Sequence, residues 1–156
     1  MTVRRATRAD RDALVDFNAA MAEETEDKQL SRERLTRGVQ SVFEDSNKGF
    51  YLVAEADETL AGGLLVTREW SDWRNAYYWW IQSVYVLPQF RGQGVYARLH
   101  RYVEELAVAS GEVCAIRLYV DRDNTRAKSV YSTLGMKPAR YDFYEVEVAR
   151  DTTDFA

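Results

Sequence analysis

The chain has 156 residues, 46% of them hydrophobic, and a formal net charge of −4. That fits one globular domain (residues 1–156) with a real core, and it argues against nucleic acid as the main partner, because phosphate calls for a basic footprint. A single cysteine, Cys114, excludes an intrachain disulfide, and with a single histidine, His100, no metal centre is expected.

No apolar leader and no long apolar span is visible, so the sequence reads as soluble and cytoplasmic, without a membrane partner. Thr2–Ala6 predicts a short strand. Thr7 opens a helix, with Asp10 placed three residues on as in a capping box. Leu14, Phe17 and Met21 give that helix one apolar stripe. An acidic patch follows: Glu23, Glu24, Glu26 and Asp27. Ser31 caps a second helix with Leu35, Val39, Val42 and Phe43 on one face, and residues 47–49 break it.

Residues 50–54 and 60–67 form a hairpin about Asp57 and Glu58. Residues 70–75 are a polar and aromatic connection. Tyr77–Val86 is a long strand rich in aromatic and β-branched residues, ended by Pro88. Residues 92–109 form a helix, with Val95, Leu99, Tyr102, Val103 and Leu106 on one stripe and Gly111 as its stop. His100 falls off that stripe. Residues 114–120 form a strand in which Cys114 is a buried structural thiol. A helix runs from Asn124 or Thr125 to Leu134, and a last strand spans Tyr141–Val148. The order β-α-α-β-β-β-α-β-α-β predicts an α+β, mixed α/β fold: a mostly antiparallel twisted sheet flanked by helices, with a βαβ crossover in its second half.

The chemistry concentrates in residues 84–96. A strand ends, a loop carries Arg91, Gly92, Gln93 and Gly94, and a long helix begins with Val95 and Tyr96. A helix start offers backbone N–H groups and the positive end of its dipole. Glycines let a ligand approach the backbone, and Arg91 adds a cation, which together suit a pyrophosphate. On spacing alone, a tight strand-to-helix turn explains the glycines equally well. Neither the P-loop nor the dinucleotide-binding glycine pattern is present.

Gln89-x-Arg91-Gly92-x-Gly94 resembles the acetyl-CoA signature of the GNAT superfamily of N-acetyltransferases. Its neighbours fit too: Ser83–Val86 resembles the central splayed strand, and Asn124-x-x-Ala127-x-x-x-Tyr131-x-x-x-Gly135-Met136 resembles the second sequence block. The resemblance implies acetyl-CoA as acyl donor. It also implies backbone amides of Arg91, Gly92, Gln93, Gly94, Val95 and Tyr96 on the pyrophosphate. Val84, Tyr85 and Val86 would lie along the pantetheine arm, which pairs like another strand. Asn124 would contact the pantetheine, and Tyr131 would act as the acid that protonates the leaving thiolate.

Direct attack of an amine on the thioester through a tetrahedral oxyanion is the implied reaction, with a strand N–H as oxyanion donor. Where some relatives, such as the diamine acetyltransferases, place a glutamate, this chain has Gln82. Glutamine cannot take the proton but can orient a water. Glu24 is then a candidate base, with Glu69 and Asp72 behind it and a water chain as the alternative.

The family's acceptor side falls on residues 21–30 and 68–80. Carboxylates beside aromatic faces there, at Glu24, Glu69, Trp70, Asp72 and Trp80 with Gln82, suit a small cationic amine such as a polyamine, amino acid or aminoglycoside. Alternation along 77–80 means that not all these rings line one pocket, and an exposed remainder favours a homodimer. A protein or peptide N-acetyltransferase and a non-catalytic CoA-binding sensor are the alternatives.

Overall fold

The computed structural model describes residues 1–148. By its internal contacts the chain separates into two compact units, residues 1–118 and a second that starts at Tyr119.

The first unit is built on a five-stranded sheet in the order β1 (Thr2–Arg5), β2 (Phe50–Ala56), β3 (Thr59–Ser71), β4 (Ala76–Val86) and β5 (Val113–Arg117). The first four strands are antiparallel neighbours, and β5 is parallel to β4. A parallel pair needs a crossover, which α3 (Val95–Ser110) supplies. Helices α1 (Arg11–Glu26) and α2 (Arg32–Glu44) join β1 to β2.

Both faces of the sheet are covered. Leu52, Leu64, Val66, Trp79 and Ile81 pack with Val95, Leu99 and Val103 of α3. Tyr51, Val53 and Tyr85 pack on the opposite face with Leu14, Val15 and Phe17 of α1 and Val39 of α2. Residues 50–54 of β2 are buried on both faces, which is why they read as an unbroken apolar run. Alternation puts Tyr77 and Trp79 towards α3 and Tyr78 and Trp80 on the α1 and α2 face.

Local chemistry sets the boundaries. Thr7 starts a single 3-10 turn, Arg8–Asp10, before α1 proper, and the Asp10 carboxylate accepts from the Thr7 N–H at 2.7 Å. The Ser31 hydroxyl caps α2, accepting from the Arg34 N–H at 3.3 Å. Asp57 and Glu58 both adopt positive φ (48° and 62°), as a two-residue hairpin with the right twist requires. Strand β3 runs on to Ser71, so the polar and aromatic connection expected at 70–75 shortens to the turn at 72–75. Gly111 (φ 69°) stops α3.

Three expectations are corrected. Residues 92–94 are a turn, and the helix after them begins only at Val95, because Gly92 and Gly94 hold left-handed φ values of 76° and 75°. His100 is not turned to solvent: it is 2% exposed, because α3 is buried over an arc wide enough to include it. In the second unit, α4 (Thr125–Thr133) is present with Asn124 as its cap, but residues 141–148 form no strand. Their alternating pattern is real, yet a strand needs a hydrogen-bonded neighbour. The apolar members Tyr144 and Val146 instead stand 93% and 82% exposed. No helix among the described residues is long and apolar enough to cross a membrane.

Candidate functional site

Strand β4 carries an irregularity that no sequence pattern announces. Gly63 faces Tyr85 and Leu65 faces Gln82, so Ser83 and Val84 together oppose the single residue Leu64. This is a β-bulge, and Ser83 takes the left-handed φ of 51° that it demands. The extra residue resets the alternation, so that Val84 and Val86 join the α3 face and Tyr85 joins Gln82 and Trp80 on the other. Gly62 lets the strands close up beside the bulge, because a Cβ there would lie 2.5 Å from the Tyr85 carbonyl oxygen.

The same strand has an open edge. Pairing with β5 ends at Trp80 opposite Arg117, leaving residues 81–86 beyond it. The Leu87 N–H donates to the Ala61 carbonyl at 2.9 Å, and ladder groups alternate, so Val84 and Val86 turn their polar groups to the open edge.

The loop after β4 leads into α3. No side chain caps the helix start, where Gly94 is the N-cap, and the first N–H bonded back into the helix is that of Arg98, to the Gly94 carbonyl at 3.1 Å. A Cβ on Gly92 or Gly94 would meet nothing within 4 Å, so the glycines line open space and are needed for their φ values. The Gln93 side chain folds back to the Gln89 carbonyl at 2.9 Å. Backbone donors, a helix dipole and open space suit a pyrophosphate.

Arg91 does more than add charge. Its Nε donates to the Val86 carbonyl at 2.9 Å, on the open edge, and its other end pairs with Glu24 at 2.8 Å. The Tyr85 hydroxyl also donates to Glu24, at 2.9 Å. The end of α1, the end of β4 and the glycine loop are thus tied at one carboxylate. These donors hold the Glu24 carboxylate below its ordinary range, Arg91 contributing most. Burial and the neighbouring Glu24 raise the Tyr85 phenol.

A second cluster lies on the same face of the sheet. The Trp80 indole donates to Glu69 at 2.8 Å, and the Arg117 guanidinium approaches Glu69 at 3.6 Å. Arg117 stacks 3.4 Å over the Tyr78 ring and 5.9 Å from Trp80. The Gln82 amide donates to Thr67 Oγ1 at 2.5 Å. Trp70 lies on the opposite face, edge-on to Tyr77 at 4.9 Å, and Asp72 sits in the β3–β4 turn, where it accepts from the Trp73 N–H. The sheet therefore brings Glu69, Trp80 and Gln82 together and separates Trp70 and Asp72 from them. Arg117 was not anticipated, since nothing marks one arginine in an apolar strand as special.

The architecture and this loop have close counterparts. The model of the GNAT acetyltransferase family matches residues 14–136, which span parts of both units. The chain belongs to the GNAT acetyltransferase family. An uncharacterized N-acetyltransferase of Archaeoglobus fulgidus is 30% identical over 134 residues, 83% of this chain and 90% of that protein. A solved structure described as a possible acetyltransferase of Clostridium difficile 630 is 37% identical, with a TM-score of 0.89 over 96% of this chain and 98% of that one. A predicted acetyltransferase of Clostridium acetobutylicum, determined with acetyl-CoA, shares the fold at 17% identity, with a TM-score of 0.76 over 94% of this chain and 96% of that one. The protein is accordingly an acyltransferase enzyme.

The remaining GNAT motif residues lie in the second unit. Asn124 is the N-cap of α4, its side-chain oxygen accepting from the Ala127 N–H at 3.1 Å. Tyr131 stands in the last turn of α4, and burial raises its phenol above the ordinary tyrosine value. Cys114 is half-buried, its thiol donating to the Tyr77 carbonyl at 3.3 Å. His100 lies between the Tyr96 hydroxyl (3.2 Å from Nδ1) and Glu104 (3.4 Å from Nε2), and burial lowers its proton affinity. Among the described residues no cluster of His, Cys, Asp or Glu is arranged to hold a metal ion.

Proposed function

We propose that this GNAT enzyme transfers an acetyl group from acetyl-CoA to the primary amine of a small acceptor, and that residues 1–156 act as one catalytic domain. The observation that carries the reading is the open edge of β4 beyond Trp80, with its bulge at Ser83, leading directly into the glycine loop at the start of α3. The backbone of residues 91–96 would hold the pyrophosphate, and the polar groups of Val84 and Val86 would pair with the pantetheine amides. Tyr85 contributes its backbone to the strand and its hydroxyl to Glu24. Acetyl-CoA, once bound, supplies the activated thioester.

The chain's own groups then have separate tasks. A backbone N–H at the bulge stabilises the negative charge that develops on the carbonyl oxygen. Tyr131, kept protonated by burial, donates a proton to the departing sulfur. Asn124 positions Tyr131 by capping its helix. Gln82 orients the water that carries the amine proton away. Glu24, bonded by Arg91 and Tyr85, is a poor base and acts by holding the loop. The three carboxylates expected to attract a cation are each engaged within the chain, Glu24 by Arg91, Glu69 by the Trp80 indole and Asp72 by the Trp73 N–H, so the acceptor is not selected by positive charge alone. The exposed Trp73 and Trp70 at the β3–β4 turn support a homodimer, which sedimentation of the parent and of Trp73→Ser would test.

Thiol release from acetyl-CoA over a panel of polyamines, amino acids, aminoglycosides and short peptides tests the transfer. Release with one class, abolished in Tyr131→Phe with acetyl-CoA binding retained, is the expected result. Turnover unchanged in Tyr131→Phe would remove it as the acid. Silence across the panel with binding intact would favour a CoA-sensing domain.

A further inference from the structure

Two guanidinium groups approach one buried ring on the sheet face that carries Glu69, Trp80 and Gln82. Arg117 lies 3.4 Å over Tyr78, and Arg74, from the β3–β4 turn, lies 5.9 Å from the same ring. The ring is 9% exposed and so forms a fixed platform. The carboxylate beside them is Glu69, whose other oxygen already accepts from Trp80. Asp72, nearest in the turn, is directed to its own backbone. Two positive charges therefore face one paired negative charge.

Arg117 is also ready to bind. Its contact to Glu69, 3.6 Å, is longer than a hydrogen bond, and a guanidinium carries five N–H donors in a planar fork. Stacking on Tyr78 fixes that fork, so little side-chain freedom is lost when a second planar anion docks. Its side chain is 30% exposed, enough to be reached.

Its place in the sheet decides what it would do. Arg117 pairs with Trp80 at the last rung of β4 and β5, where the sheet opens. Gln82 is the next residue of β4 on that face, and the bulge follows at once. At roughly 3.3 Å per strand residue, the Arg117 rung stands about 10 Å from the bulge, the length of a small molecule.

We infer that Arg117, assisted by Arg74, binds a carboxylate on the acceptor, so that the acetylated amine belongs to an amino acid. This rests on the amine-acetylation reading and narrows it. The guanidinium fork meets the carboxylate two-to-two, which anchors the far end of the acceptor and leaves its amine directed along β4 past Gln82.

The test compares the proteinogenic L-amino acids with their carboxamides, which keep the amine and lose the anion. Thiol release should favour the acids at least tenfold in kcat/KM for the preferred side chain. In Arg117→Gln that preference should collapse towards unity through a raised KM for the acid, with acetyl-CoA affinity retained. Arg74→Gln, a change at an exposed residue, should weaken it severalfold and covers the case in which Arg117→Gln does not fold. Binding titrations of the same acids and carboxamides, with CoA present, give a readout independent of turnover. Acids that bind the parent but not Arg117→Gln would support the carboxylate site even if no acetyl transfer were seen. Equal use, or equal binding, of acid and carboxamide would overturn it and leave the acetyl transfer untouched. Polyamines as the preferred acceptors, with Arg117→Gln unchanged, would overturn it equally.

Discussion

Arg91 and Glu24 form an ion pair of 2.8 Å although 67 residues separate them in sequence. The pair links the end of α1 to the glycine loop, and the Tyr85 hydroxyl completes the carboxylate's coordination. Both partners are about two-fifths exposed, so water screens the attraction and the pair matters for position more than for stability.

Glu24→Gln separates a positioning role from a basic one. Loss of a general base costs about 10²–10⁴ in rate. A carboxylate held below its ordinary range by two donors is a weak proton acceptor, so kcat should fall less than about tenfold. The pH–rate profile should keep its shape, because Glu24 is ionised throughout the working range. Steady-state kinetics from pH 6 to 9 check both. A hundredfold loss of kcat, with the acid limb abolished, would make Glu24 the base after all.

Two glycines make a contrasting pair for stability. A Cβ on Gly62 would stand 2.5 Å from the Tyr85 carbonyl oxygen, which is backbone and cannot rotate away. Gly62→Ala must push β3 from β4 beside the bulge, at a cost of about 1–3 kcal/mol, and it should depress turnover as well. Gly38 lies exposed within α2, and a Cβ there meets nothing within 4 Å. Gly38→Ala should stabilise the protein by about 0.4–1 kcal/mol, because alanine favours helix and restricts the unfolded chain. Urea midpoints of the two variants should move in opposite directions.

Gly94→Ala isolates the conformational demand of the loop. Space is open around it, so the cost arises only from a left-handed φ of 75°, about 1–2 kcal/mol for an alanine. If residues 91–96 hold the pyrophosphate, that strain appears mainly as weaker acetyl-CoA binding. Calorimetric titration should give a Kd raised severalfold or more. An unchanged Kd would move the pyrophosphate elsewhere.

The elements that built the sheet and its helices were legible because their signals are local. The unbroken apolar run at 50–54, the Asp57 and Glu58 turn and the α3 stripe each depend on neighbours a few residues away. The bulge was not, since Ser83 takes its left-handed φ to suit Leu64 across the ladder, and no residue type announces that. Arg117 was missed for a related reason: its meaning comes from Tyr78 and Trp80 beside it in space. His100 was misread because a stripe drawn through Val95, Leu99 and Val103 is narrower than the arc the sheet covers. Residues 141–148 show the converse, a strand pattern that no strand among the described residues completes.

Two buried groups give stability a stepwise dependence on acid. Burial lowers the proton affinity of His100, so the unfolded chain takes up a proton there before the folded one does. Its contribution is present above the unfolded histidine value of about 6.5 and declines as pH falls below it. Asp10 is likewise held below the ordinary carboxylate range, by two hydrogen bonds from Arg4 at 2.8 and 3.1 Å and one from the Thr7 N–H. Its contribution is complete above the ordinary carboxylate range and is lost as pH falls through its lowered folded value. Urea unfolding at steps from pH 8 to pH 3 should therefore show an early loss below pH 6.5 and a later one below pH 4. His100→Gln should flatten the first, and Asp10→Asn the second. Asp10→Asn should also cost about 1–3 kcal/mol at pH 7, because Arg4 loses its nearest carboxylate. An early loss that persists in His100→Gln would assign it to another group.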